Sequence, residues 1–108
     1  VKRIGMMRHR LTLEAPVRTP DGAGGATLAW SPVASLWAEI EPAGHQERFR
    51  NEKTGAMVSH RISMRFRTDM VPGMRLVKGS RVFEVVSLLD PEERGRQLLC
   101  FATEQLTP

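Results

Sequence analysis

The sequence predicts an all-β fold, a small antiparallel β-barrel of about six to seven strands with a long Gly-tipped hairpin and one long polar loop containing a short helix. Three observations predict it. Apolar residues recur at every second position in segments of strand length. Clusters of Pro, Gly and Asp divide these segments at spacings suited to a barrel or sandwich. The one stretch whose residues favour helix, 44–55, is too polar and too short to anchor a helical core. At 108 residues the chain has room for one domain with a modest core. Residues 1–108 therefore read as a single domain, with 1–6 a loose N-terminal extension.

Arg8 to Glu14 alternates, with His9, Leu11 and Leu13 on one face. Pro20, Asp21 and Gly22 then form a turn: proline presets φ, aspartate bonds its own backbone, and glycine accepts positive φ. Gly24 and Gly25 follow, which predicts a flexible tip. Ala26 to Ser31 returns as the second arm, and Pro32 should bend the chain. From Val33 to Glu41, Leu36, Ala38 and Ile40 alternate against Trp37, Glu39 and Glu41, and Pro42 ends the strand.

Residues 44–55 read as a mobile loop with one or two helical turns, in which Phe49 is the only large apolar residue. Met57 to Arg67 is the clearest strand. Val58, His60, Ile62, Met64 and Phe66 share one face; Ser59, Arg61, Ser63, Arg65 and Arg67 form a wet, basic other side. Pro72-Gly73 is a turn, Met74 to Val77 a short strand, and Lys78-Gly79-Ser80 a tight hairpin loop. Arg81 to Leu89 is apolar on both faces apart from Glu84 and Ser87, hence central. A charged turn at 90–95 leads into the last strand, Gln97 to Glu104. This reading places Leu36, Ile40, Ile62, Met64, Val82, Val86 and Leu98 in the barrel interior.

Composition narrows function. Sixteen Lys+Arg against twelve Asp+Glu give a formal charge of +4, a mild and interspersed excess that permits nucleic acid nearby without requiring contact. No stretch approaches the ~20 apolar residues of a transmembrane helix, and the basic start lacks a signal-peptide core. Cytoplasmic synthesis is the default expectation. Cys100 is the only cysteine and sits in an apolar run, which suggests a buried, inert thiol.

No Gly-rich phosphate loop, nucleophile elbow or zinc-type spacing occurs. His9 and His60 read as half-buried histidines with hydrogen-bond partners, and Glu92-Glu93 as a solvated corner. No catalytic, cofactor-binding or metal residue is assigned, and the chain reads as a non-enzyme. A single-strand binder stacks bases on aromatics; here there are two tryptophans, four phenylalanines and no tyrosine, mostly on expected core faces.

Three surface groups remain as candidates. The basic face of Arg61, Arg65 and Arg67 is either an ordinary solvated sheet face, a partner interface, or a channel wall near a nucleic-acid backbone. The hairpin tip, Pro20, Asp21, Gly22, Gly24 and Gly25, is a candidate contact loop. The polar segment offers His45, Gln46, Glu47, Arg48, Phe49, Arg50, Asn51, Glu52 and Lys53 as a candidate partner or channel loop, with an ordinary surface loop as the alternative.

The collinear order of several short segments carries a resemblance: Met7-Arg8-His9-Arg10-Leu11, the Pro20–Gly25 tip, Trp37-Ala38-Glu39-Ile40-Glu41-Pro42, Glu47-Arg48-Phe49 and His60-Arg61-Ile62. Arg65-Phe66-Arg67, Pro72-Gly73-Met74-Arg75, Arg81-Val82-Phe83-Glu84-Val85 and Asp90-Pro91 before Arg94-Gly95 continue it. Together they resemble the phage head–tail joining family, also called head–tail adaptor or head-closure (stopper) proteins.

That resemblance implies a small β-barrel that docks as a ring of six or twelve copies beneath the portal and its adaptor, with a tail terminator or tail tube protein below. It implies DNA passing through the channel without sequence specificity, no membrane partner, no cofactor and no catalysis. It places the chain in the bacterial cytoplasm during assembly and then at the head–tail junction of a phage, prophage or gene transfer agent particle. A tail-completion or terminator protein of such a particle, and a stand-alone nucleic-acid-binding β-barrel, are the alternatives.

Overall fold

The computed structural model describes residues 7–43 and 58–105. Six strands account for most of them: β1 (His9–Pro20), β2 (Ala26–Pro42), β3 (His60–Arg65), β4 (Arg75–Lys78), β5 (Arg81–Leu89) and β6 (Gln97–Gln105). They close into an antiparallel barrel in the order β1-β2-β3-β6-β5-β4. Closure rests on a short seam in which Thr12, Leu13 and Glu14 pair with Val77, Leu76 and Arg75.

Period-2 alternation fills the interior. Leu11 and Leu13 from β1, Leu36 and Ala38 from β2, and Ile62 and Met64 from β3 are buried in one cluster with Leu76, Phe83, Val85, Leu98, Cys100 and Ala102. Ile40 packs against this cluster half-buried. Four of the seven expected interior residues (Leu36, Ile62, Met64 and Leu98) lie fully within it. Met70 and Met74 plug the same core from the β3–β4 connection, where Met74 N–H donates to Val71 O across the Pro72-Gly73 turn. Gly73 sits at φ 97°, the conformation that turn needs.

Two expectations for the interior are corrected. Val82 is only half-buried and belongs to neither cluster, and Val86 is buried outside the barrel, against Ala43, Val58 and Phe101. Phe83 and Val85 take the interior positions instead. The cause is the sequence of β5, which is apolar on both faces, together with a bulge. Val85 faces Ala102 and Ser87 faces Phe101, so Val86 is the extra residue and alternation changes phase there.

Other boundaries also move. Pro32 does not separate two strands: β2 runs unbroken for 17 residues. The irregularity is absorbed as a bulge at Val33, since Leu13 pairs with Ala34 and Glu14 with Pro32. Fusing those two expected strands gives six. β1 continues to Pro20 rather than ending at Glu14. β3 stops at Arg65, leaving Phe66 39% exposed, and Ser63 on the expected wet face is buried beside Pro91 and Glu92. The expected helical turns of 44–55 fall on residues outside those described.

Beyond the seam, β1 and β2 pair only with each other among the described residues. Ala15↔Ser31 through Pro20↔Ala26 form a two-stranded ribbon that leaves the barrel, and the molecule measures 49 × 29 × 28 Å. Apart from Ala15 and Trp30, which are half-buried, its residues are exposed.

Candidate assembly surfaces

The ribbon is held to the barrel at its base. On the outward face, Arg75 Nε of β4 donates to Glu14 Oε1 at 2.6 Å, and the same guanidinium stacks over the Trp30 ring at 4.3 Å from its centroid. A carboxylate from β1, a cation from β4 and an indole from β2 thus meet where the ribbon departs. Glu14 and Arg75 are 61 residues apart in sequence, so only the barrel closure brings them together.

The tip is a formed turn. Asp21 Oδ1 accepts hydrogen bonds from Ala23 N–H at 2.8 Å and Gly25 N–H at 3.2 Å, and Asp21 N–H donates to Gly25 O at 3.2 Å. Gly22 and Gly24 occupy φ 80° and 85°. A Cβ on Gly25 would stand 2.9 Å from Asp21 Oδ2. The glycines therefore serve a specific conformation in which Pro20 and Asp21 are exposed at the far end of the ribbon. The second candidate loop, His45 to Lys53, lies outside the described residues.

Arg61 and Arg65 do share the outward side of β3, but the basic face is largely neutralised. Arg61 lies 3.6 Å from Glu41. Arg67, beyond the strand end, holds Asp69 through two hydrogen bonds of 2.7 and 2.8 Å. That pairing raises the Arg67 pKa and holds the Asp69 carboxyl below its ordinary value. Arg81 likewise grips Glu104 at 2.8 and 3.2 Å and lowers its pKa. Of the three proposed arginines, Arg65 alone has a side chain that makes no hydrogen bond or ion pair to another described residue.

His9, His60 and Cys100 are structural. His9 Nδ1 contacts Lys78 Nζ, and burial, with Lys78 and Arg81, holds its pKa below the ordinary value. His60 packs edge-on against Phe83 with centroids 5.2 Å apart, and its Nδ1 lies 2.9 Å from Ser59 Oγ. Burial pushes the Cys100 thiol up to about 12, which leaves it protonated and unreactive. Among the described residues no group of three His, Cys, Asp or Glu side chains is placed to hold a metal.

The expectation that most aromatics sit in the core is overturned. Of the described aromatics, Phe83 alone is fully buried; Trp37 is 56% exposed, with the Arg10 guanidinium 6.0 Å from its ring centroid. Trp37 forms one wall of an open cleft of about 540 Å³ where β2 and the chain leaving β3 diverge. Met7, Leu36 and Met64 make its floor, and Arg65, Phe66 and Arg67 its opposite wall. The signal for Trp37 was present in the sequence, since it alternates against Leu36, Ala38 and Ile40 and must point outward if they point in.

Comparison with known proteins adds three findings. A family model described as phage head completion protein matches residues 2–105. A chain in a structure of the virion of a native gene transfer agent particle is similar with a TM-score of 0.67 and 29% identity, over 93% of this chain and 96% of that one. A protein from Shigella flexneri 2a, solved in solution, is similar with a TM-score of 0.67 and 26% identity, over 94% and 96% of the two chains. No curated protein matches the sequence significantly.

Proposed function

Since the chain belongs to the phage head completion protein family, we propose that it closes the filled head of a tailed phage-like particle as a ring beneath the portal or adaptor and presents the surface to which the tail attaches. It is a structural virion protein that assembles with other virion proteins. The observation that carries the reading is the family match across residues 2–105. The finer placement in a ring rests on shape. A closed barrel leaves few sheet edges to join, so the ribbon is the projecting element with which a copy reaches its neighbours. An isolated two-stranded ribbon is marginal in water, and its tip does nothing for the barrel core.

Neutralisation of Arg61, Arg67, Arg75 and Arg81 by carboxylates supports DNA passing through such a ring without specific readout. Ring contacts on this reading heterologously join one copy to the next. The polar segment His45 to Lys53 is the further proposed contact with the channel or the adjoining ring.

Particles made without this chain should contain packaged but tailless heads that lose DNA, and electron microscopy of complete particles should place the chain at the head–tail junction. Normal yields of tailed, DNA-filled particles without it would refute the proposal. In a complementary variant lacking residues 45–54, the barrel should fold while assembly fails.

A further inference from the structure

We infer that the cleft beside Trp37 is a docking site for an extended segment of another virion protein, with alternating apolar and acidic side chains, which adds as a strand to the open edge of β2. The inference rests on the head-completion reading for the identity of the partner as a virion protein, and on the geometry for its chemistry.

The edge comes first. β3 pairs with β2 only from Ala38 onward, so among the described residues the β2 edge facing away from β1 has no strand beside it before that residue. Unpaired strand edges are templates for another strand, and proteins blunt them where joining is unwanted. On the ribbon, prolines stand at Pro16 and Pro20 of β1 and at Pro32 of β2. Past the bulge at Val33, no proline, lysine or further bulge blunts the edge from Ala34 to Trp37. This stretch, Ser35 to Trp37 above all, is the part that lines the cleft.

The lining comes second. Trp37, Phe66, Met7 and Met64 with Arg65 and Arg67 give the cleft the aromatic, Met and Arg composition of protein–protein interface cores, with no lysine or carboxylate. Trp37 and Phe66 stay exposed although both are large and apolar.

Register and charge then define the occupant. Leu36 and Met64 face inward, whereas Trp37 and Arg65 face outward. A strand laid between them places every second side chain toward Met7, Leu36 and Met64, which calls for apolar residues. The intervening side chains emerge beside Arg65, which calls for carboxylates. Arg67 is already satisfied by Asp69, so Arg65 is the cation of the cleft left to pair with an incoming acid.

Two experiments test this. The purified chain is titrated with an acetylated octapeptide of alternating leucine and glutamate, with its leucine–lysine counterpart, and with a single-stranded oligonucleotide. The acidic peptide should shift the Trp37 indole resonance and leave Trp30 unmoved. Arg65→Glu should weaken it roughly tenfold or more with an otherwise unchanged spectrum. Equal binding of the lysine peptide, preferential binding of the oligonucleotide, or indifference to Arg65→Glu would overturn the inference.

In assembled particles, a photo-crosslinking amino acid at Ser35 should join the chain to an acidic segment of a different virion protein. Crosslinks only to a second copy or to DNA, or none from particles that contain the chain, would overturn the docking site and leave head completion standing. Absence of the chain from purified particles would instead remove the head-completion reading and this inference with it.

Discussion

The barrel and the ribbon are made from the same two strands under opposite conditions. Within β1, Leu11 and Leu13 are wholly buried, while Pro16 to Pro20 on the same strand are exposed on both faces. Within β2, Leu36 and Ala38 are buried, while Ala26 to Ala29 are exposed. The inner half is strand because alternation buries one face; the outer half is strand because its partner and a well-formed turn extend the ladder. Burial stabilises the first and chain geometry maintains the second. The first should be sensitive to lost volume and the second nearly indifferent to it.

The largest expected effects therefore come from truncation inside the barrel. Phe83→Ala and Ile62→Ala, both at fully buried positions, should cost about 3–5 and about 2–5 kcal/mol respectively in denaturant unfolding. Val17→Ala and Leu28→Ala on the ribbon, at 43% and 55% exposure, should stay within about 0.5 kcal/mol. If the ribbon substitutions matched the core ones, the ribbon would be part of the folding unit and the contrast would fail.

A medium effect sharpens the assignment of β5. Val86 belongs to the small cluster with Ala43, Val58 and Phe101, whereas Val82 belongs to neither core cluster. Val86→Ala removes two buried methyl equivalents, about 1.5 kcal/mol at ~0.8 kcal/mol for each. Val82→Ala should cost clearly less. The reverse order in thermal unfolding would restore the simple alternation that the bulge interrupts.

These strands also show what the sequence makes legible. In β3, Ile62 and Met64 alternate with Arg61 and Arg65, and the faces could be assigned directly. In β5 both faces are apolar, so no periodic signal chooses between Val82 with Val86 and Phe83 with Val85. Pro32 read as a break because proline weakens a ladder, yet at an edge beside a bulge it is tolerated.

The candidate surfaces divide in the same way. Asp21 and its glycines announce the turn locally. The neutralisation of Arg61, Arg75 and Arg81 comes from Glu41, Glu14 and Glu104, brought to them across strands. Such pairings follow from register, which the sequence does not print. Trp37 was legible from its own strand, and its cleft was not, because the opposite wall comes from the end of β3 and the chain that leaves it.

A smaller effect isolates the joint between the two regions. Arg75→Ala removes both the ion pair with Glu14 and the stacking on Trp30. An exposed cation–π contact is worth about 0.5–1 kcal/mol, and a surface ion pair about 0–1 kcal/mol. Global stability should fall little. Amide exchange should nevertheless quicken selectively in Ala15–Pro20 and Ala26–Ser31, because local opening of the ribbon no longer has to break this joint. Uniform acceleration across barrel and ribbon would show that Arg75 supports the whole sheet.

The smallest effect is a pH dependence at the barrel end. Burial, then the Lys78 ammonium and the Arg81 guanidinium, hold the His9 pKa below its ordinary 6.5, against a raising influence from Glu39. Between the folded value and 6.5 the unfolded chain binds more protons at this residue than the folded chain does. The stability linked to His9 is thus fully present above 6.5 and is lost as the pH falls from there through the folded value. Asp69 and Glu104, held below 3.8 and 4.5 chiefly by Arg67 and Arg81, lose their contributions only in a more acidic range. Unfolding midpoints measured from neutral pH down to about 5 should therefore decline shallowly in the wild-type chain and flatten in His9→Gln. The substitution keeps a side chain that can accept from Lys78 and removes the titration. An undiminished slope in His9→Gln would assign the pH dependence to other groups and leave His9 a neutral packing residue beside Lys78.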